Sequence, residues 1–307
     1  MAVRVGVIGV GYLGKHHARI FSDIEGVDLV GVSDVNEAAA KQIAQTYRCR
    51  PYTRYAEMIV QCDAVSIVTP TTTHHTIAMD CIAAGKDLLI EKPITADISE
   101  AKAVVEAAAA KNLILQVGHL ERYNPGIVAA AGMIAEPRFI ESERLSPFMG
   151  RADDVDVTLD LMIHDIDIVL SLVRSRLTDI RAFGESMITE KIDLAKAWLE
   201  FENGSKAIIT ASRLSSDKVR TLKVFQRDAI ITIDYQKQEL SCSRKNGKEM
   251  VITVVQPETR EPLKEELHDF IFCVRHRKRP GVSGIEAMNA LDVALKITDM
   301  LKGEKKV

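Results

Sequence analysis

Three sets of residues in this chain have types and spacings that can do chemistry. Asp160 and His164 stand four residues apart in a stretch of helical apolar spacing, so both side chains fall on one helix face. An imidazole titrates near neutral pH and can take a hydroxyl proton, while a carboxylate one turn away can orient and tune it. Lys92 sits between Glu91 and Pro93 at the end of an apolar, strand-like run. Proline fixes the local backbone and disfavours helix at the preceding residue, so the ammonium is held at a sheet edge. There it can stabilise negative charge developing on a substrate oxygen. The third set is the turn Gly9-Val10-Gly11-Tyr12-Leu13-Gly14. Gly9 permits a tight bend, Gly11 lets the backbone approach a pyrophosphate, and Gly14 lets a helix pack closely on the strand. Amides around Tyr12 and Leu13 then open a helix whose dipole favours a diphosphate. A hydride carrier, a lysine and an Asp/His pair together describe alcohol oxidation.

Each set also has a structural alternative. A glycine-rich turn can be purely architectural, Lys92 can be a surface lysine, and a D-x-x-x-H pair can be a cap. The context of the turn argues for a cofactor. A second apolar run, Val27 to Val32, ends at Asp34, twenty residues after Gly14. An acidic side chain there can accept hydrogen bonds from ribose hydroxyls. Val35 and Asn36 follow, with no arginine to receive a 2′-phosphate, so NAD is expected over NADP. The alternative for Asp34 is an N-cap of the helix that begins near Asn36. No metal is expected: Asp160, His164, Asp165, Asp167 and the His74-His75 pair form no H-x-x-x-H pattern. His16 and His17 read as packing residues or pyrophosphate neighbours.

These residues need a scaffold, and the first 120 positions alternate strand-like and helix-like segments. That βαβ rhythm implies an α/β Rossmann domain with a doubly wound parallel sheet, whose ligands bind beyond the carboxyl ends of the strands. Gly9, Asp34, Thr69, Lys92 and Gly118 fall at those ends. After a helical stretch from 125 to 134, strand candidates dominate, and Asn203-Gly204 and Asn246-Gly247 are hairpin signals. A separate α+β domain with a largely antiparallel open sheet is expected, covered by helices at 158–174, 263–277 and 284–301. The division is 1–120 for a cofactor domain and 121–307 for a substrate and oligomerisation domain.

Length and composition agree with that plan. At 307 residues the chain exceeds one ordinary core. A net charge of −3 argues against a dedicated nucleic-acid binder, and the run 275–279 reads as the basic end of a helix. Five scattered cysteines without a CxxC argue against a disulfide framework and suit a reducing cytoplasm. No leader precedes the first strand, and no apolar run of roughly 18 residues is present to span a membrane.

The pieces occur in an order that resembles the Gfo/Idh/MocA family (glucose-fructose oxidoreductase, inositol dehydrogenase, MocA) over essentially the whole length. They are the glycine turn, Thr69-Pro70-Thr71-Thr72-Thr73-His74, Ala84-Gly85-Lys86, Glu91-Lys92-Pro93, and Asp160 with His164. The resemblance implies that Thr69, Pro70, His74 and Glu91 lie at the cofactor, that Lys92 contacts the reacting hydroxyl and nicotinamide, and that His164 is the acid/base supported by Asp160. It also implies an open sheet used for a homodimer or homotetramer. Gly118-His119-Leu120-Glu121-Arg122-Tyr123-Asn124-Pro125 is similar to a stretch of members that oxidise the 3-hydroxyl of a UDP-N-acetylglucosamine-type nucleotide sugar. That implies substrate contacts for Arg122, Tyr123 and Asn124, with Arg151 a second anion contact; the alternative for Arg122 is a structural salt bridge. Inositol or free-sugar dehydrogenation is the neighbouring reading. A non-catalytic NAD(H)-sensing regulator is the reading from another class.

Overall fold

Short runs of β-branched residues build the first sheet. The computed structural model describes residues 2–148, 150 and 155–304. Strands Val3–Ile8 (β1), Val27–Ser33 (β2), Arg50–Tyr52 (β3), Ala64–Ile67 (β4), Asp87–Glu91 (β5) and Leu115–Gly118 (β6) pair in the order β3-β2-β1-β4-β5-β6, all parallel. Helices Gly14–Asp23 (α1), Glu37–Tyr47 (α2), Tyr55–Ile59 (α3), His74–Ala83 (α4) and Ile98–Ala110 (α5) lie between them. Every residue of β4, β5 and β6 is buried, as in a sheet covered on both faces. The strand order reverses between β1 and β4, the place where doubly wound sheets bind ligands.

The second part of the chain contains Pro125–Ala131 (α6), Phe139–Leu145 (β7), Ile163–Val173 (α7), Leu177–Glu185 (β8), Leu194–Phe201 (β9), Lys206–Ser212 (β10), Val219–Phe225 (β11), Ala229–Asp234 (β12), Glu239–Asn246 (β13) and Glu249–Val255 (β14). Helices Pro262–His276 (α8) and Gly284–Glu304 (α9) complete it. The eight strands run β14-β13-β12-β11-β7-β10-β9-β8. All neighbours are antiparallel except β7 with β10. Gly204, at the expected hairpin between β9 and β10, has φ +83, which a side chain at that position would resist. In β7 alternate residues turn inward, burying Ile140, Ser142 and Arg144. A charge on an inward position needs partners, and they define the site below.

The structure divides into two units, one of residues 1–120 with 261–288 and one of 121–260 with 289–307. This differs from a single boundary at 120. The cause is the apolar face of α8. Leu267, Phe270, Ile271, Cys273 and Val274 share one buried cluster with Val3, Val5, Phe21 and Leu29 of the first sheet and α1. Phe21 and Phe270 meet edge to face at 6.5 Å between centroids. Past the end of α8, Arg277 donates to Asp87 Oδ2 at 2.6 Å and to the Asn112 carbonyl at 2.5 Å. The basic run is therefore partly a clamp on β5 and the α5–β6 turn, rather than only a solvated helix end.

Phe270→Ala should destabilise the first unit by about 3–5 kcal/mol, the usual scale for emptying an aromatic core site. Urea unfolding followed through the first unit checks this, and a loss below about 1 kcal/mol would show that α8 is only loosely attached.

Candidate active site

Beyond β1 the backbone turns at Gly9, with φ +88, and a Cβ there would lie 2.4 Å from the Val68 carbonyl oxygen. A Cβ on Gly14 would lie 1.9 Å from the Gly9 carbonyl oxygen, so α1 can start against the turn only because Gly14 has no side chain. Gly11 is different: a Cβ there would meet nothing within 4 Å. Its lack of a side chain answers no protein contact and leaves open space over the backbone. No side chain caps α1, and its first turn carries no acidic residue, so nothing competes with an anion at that terminus. Tyr12 and Leu13 are exposed on the turn.

Asp34 accepts the Val10 N–H at 2.9 Å through Oδ2 and the Asn36 N–H at 2.9 Å through Oδ1. The cap of α2 is Asn36, which accepts from the Ala39 N–H. Asp34 thus bridges the glycine turn to the end of β2, and each carboxylate oxygen retains acceptor capacity. These residues fit a dinucleotide: an open backbone cradle, an uncapped helix start and an acceptor at the second strand end.

Around β4 and β5 the polar groups are buried and paired. His17, on α1, places Nδ1 2.9 Å from Ser66 Oγ and Nε2 3.1 Å from Glu91 Oε1. Glu91 Oε2 in turn accepts the Lys92 N–H at 3.3 Å. Burial alone would push the Glu91 carboxyl up, but the hydrogen bond and charge of His17, then Lys92, outweigh it and hold it below the ordinary range. Lys92 itself is half-buried, at a cis Lys92–Pro93 peptide. His74 is buried, with its ring nitrogens 2.9 Å from the Pro93 carbonyl and 2.8 Å from the Thr69 carbonyl. Thr73 Oγ1 donates to Thr69 Oγ1 at 2.7 Å, bracing the same turn beside Pro70. Glu91 and His74, both expected at the cofactor, also fix the backbone that carries Lys92 and Thr69.

In the second unit a single π turn, Thr158–Met162, precedes α7 and carries Asp160, with His164 in the first α-helical turn. Both are half-buried, whereas Asp165 and Asp167 on the same helix are fully buried. Arg144, only 2% exposed, donates from Nε to Asp165 Oδ2 at 2.6 Å and from Nη1 to Glu121 Oε1 at 2.9 Å. The Tyr235 ring lies 5.4 Å from its guanidinium carbon. Burial would lower the Arg144 guanidinium, and Asp165 with Glu121 more than reverse that. Arg122 donates to Asp167 Oδ2 at 2.7 Å and is 20% exposed.

Two residues of the segment after β6 are engaged by protein partners. The Arg122 guanidinium is held by a buried carboxylate, which is the structural salt bridge, with Asp167 as partner. Asn124 is buried as the cap of α6, accepting the Gly126 N–H at 3.0 Å and donating to the Tyr235 carbonyl at 3.0 Å. Tyr123 is half-buried at the end of the short turn Leu120–Tyr123. Arg151 lies outside the described residues. Sequence reasoning missed Arg144 and Ser66, and the structural roles of Asp165 and His17. Inward parity in β7 flags Arg144, and helical spacing with Gly14, Ala18 and Phe21 flags His17; their partners are non-local. Among the described residues no group of three or more His, Cys, Asp or Glu side chains is arranged to hold a metal. No helix among them is long and apolar enough to cross a membrane.

A glycine cradle ahead of α1, and separately an Asp160/His164 pair spanning the π turn and the start of α7, are features found in nicotinamide-dependent oxidoreductases. Residues 3–119 match the family described as "Oxidoreductase family, NAD-binding Rossmann fold", and residues 128–232 match the "GFO/IDH/MocA C-terminal domain". The chain belongs to the Gfo/Idh/MocA family. It is 37% identical over 303 residues to UDP-N-acetylglucosamine 3-dehydrogenase of Acidithiobacillus ferrooxidans, with 96% of each chain covered. It is 28% identical over 322 residues to scyllo-inositol 2-dehydrogenase (NAD(+)) of Bacillus subtilis, covering 98% of this chain and 94% of that one. A solved structure of the Acidithiobacillus ferrooxidans enzyme superposes with a TM-score of 0.94 at 35% identity over 99% of both chains.

The Glu91 carboxyl supplies a prediction with a definite sign. A carboxyl held down in the folded state contributes stability above its ordinary value of 4.5 and loses it as pH falls through the lower folded value. The stability difference between wild type and Glu91→Gln should therefore be greatest above pH 4.5 and shrink in more acidic solution. Thermal unfolding of both across that range tests it, and a difference independent of pH excludes a buried, charged Glu91.

Proposed function

We propose that this chain is an NAD-dependent dehydrogenase that oxidises the 3-hydroxyl of a UDP-N-acetylglucosamine-type nucleotide sugar. The observation that carries the reading is 37% identity spread over 96% of both chains with an enzyme of that name, against 28% with the inositol enzyme. The first unit would hold the cofactor and the second the sugar. NAD is preferred over NADP because Asp34 accepts at the ribose end and Val35, fully exposed beside it, offers no cation to a 2′-phosphate. Exposed apolar side chains along β14 (Met250, Val251, Ile252, Val254) support self-association of the open sheet. The free cysteines suit a cytoplasmic location.

Bound NAD supplies the acceptor for the hydride that leaves the carbinol carbon. His164 takes the hydroxyl proton on its imidazole. Asp160, four residues earlier, orients that ring and stabilises the imidazolium that forms. Lys92 has the charge to offset negative charge developing on a substrate oxygen. Glu91, charged and tied to His17, holds the Lys92 backbone in place.

Lys92→Ala and His164→Ala should each lower kcat by about 100-fold or more, the scale for losing oxyanion stabilisation or acid/base catalysis. NADH affinity of His164→Ala should stay close to wild type, and near-normal turnover in either variant removes the assignment. On the cofactor side, Asp34→Ala combined with Val35→Arg should shift kcat/KM toward NADP, while a wild type that already prefers NADP refutes the ribose argument. Steady-state reduction of NAD with UDP-sugars, inositols and aldoses tests the substrate. Turnover of UDP-N-acetylglucosamine is expected; turnover of inositol alone supports the cyclitol reading, and binding of NADH without turnover of any substrate supports a sensor.

A further inference from the structure

Two cations of the second unit are left over by the ion pairs described above. Arg220 on β11 stands directly across from Arg144 on β7, so both guanidinium groups share the helix-covered face of the sheet. Arg144 is consumed by Asp165 and Glu121. Arg220 makes no side-chain hydrogen bond among the described residues. Its one ion pair reaches Glu121 Oε1 at 3.5 Å, an oxygen that Arg144 already holds at 2.9 Å. Its side chain keeps 32% of its surface exposed. Lys218, two residues earlier and just ahead of β11, is exposed and has no ion-pair or hydrogen-bond partner among the described residues.

Like charges so placed repel. The Lys218 ammonium is pulled below its ordinary value by Arg220 and then by burial. Arg220 is pulled down by burial and then by Arg144, while Glu121, Asp165 and Asp160 act the other way. The surrounding carboxylates do not close the account: Glu121 and Asp165 serve Arg144, Asp167 serves Arg122, and Asp217 accepts from Ser216 Oγ at 3.0 Å. Arg220 stands across from Arg144, which is bonded to Asp165, the α7 residue next to His164, so Arg220 lies on the side of the sheet that faces α7.

We infer that Arg220 and Lys218 form the subsite that binds the diphosphate of the substrate, with Arg220 on the side of the sheet that faces α7. The inference rests on the nucleotide-sugar reading above and names the residues that would enforce it. The planar fork of Arg220 suits two phosphate oxygens, and the Lys218 ammonium adds a point charge on a flexible stem. A diphosphate matches the two cations in charge. A free cyclitol leaves both unanswered, which sets the specificity. Arg122 does not fill this role because Asp167 holds it.

The test is calorimetric binding of UDP and of inorganic pyrophosphate to the NADH-loaded protein. Arg220→Ala should weaken UDP by about ten-fold or more and Lys218→Ala by about three-fold or more, with Arg220→Lys intermediate, as for loss of charge-assisted phosphate contacts. The salt dependence of UDP binding should flatten in both alanine variants, whereas Arg122→Ala should change UDP affinity less than about two-fold. Lys218 is exposed, so its variant keeps the fold and the test holds even if Arg220→Ala unfolds. Unchanged UDP affinity in Arg220→Ala and Lys218→Ala, with UDP still bound by wild type, overturns the subsite and leaves the nucleotide-sugar reading standing. A wild type that binds neither UDP nor pyrophosphate and oxidises only uncharged polyols overturns both.

Discussion

Arg144 carries a positive charge into the interior of the second unit, and its partners must stay where they are for that charge to be tolerated. A buried guanidinium stripped of its carboxylates costs several kcal/mol, so breaking the cluster is far more expensive than a surface pair of the same geometry would be. Asp165 follows His164 in sequence on α7, and Glu121 precedes Arg122 in the turn after β6. A single side chain on β7 thereby fixes the rotation of α7, which carries His164 and follows directly on the π turn of Asp160. It also fixes the turn whose Arg122 makes a second link to that helix through Asp167.

The first unit uses the same device with different residues. His17 joins α1 to the ends of β4 and β5 through Ser66 and Glu91, while His74 joins the turns after those strands through two carbonyl oxygens. Neither histidine needs to touch a ligand to matter. Groups held on strand ends and helix turns by buried polar contacts lose little freedom on binding, which is the condition for stabilising a transition state more than a ground state. Gly11 contributes by the opposite means, leaving space where any other residue would place atoms.

Much of this was legible in the sequence, for local reasons. Buried parallel strands announce themselves as short β-branched runs, so β1, β2, β4 and β5 were readable, as was the glycine turn. Asn203-Gly204 and Asn246-Gly247 mark hairpins because few other dipeptides take positive φ cheaply. What could not be read was non-local. The apolar face of α8 says that it must pack, but not that Phe21 and Leu29 are its partners. The bond from Arg122 to Asp167, 45 residues away, has no local signal either. Asn124 has the sequence signature of a cap before Pro125, and it caps α6. The π turn at Thr158–Met162 has no local signal in its residues.

Chemically, the account comes down to which bond is broken. On the proposed reading, oxidation at a secondary hydroxyl sends the carbon-bound hydrogen to the cofactor as hydride and the hydroxyl proton to a base, for which His164 is the candidate. The most direct measurement is therefore isotopic: UDP-N-acetylglucosamine carrying deuterium at C3, incubated with the protein and NAD, with the reduced cofactor examined by mass spectrometry. The account predicts that the deuterium is recovered in the reduced cofactor alongside a 3-keto nucleotide sugar. Unlabelled reduced cofactor, or a keto group at another carbon, contradicts it.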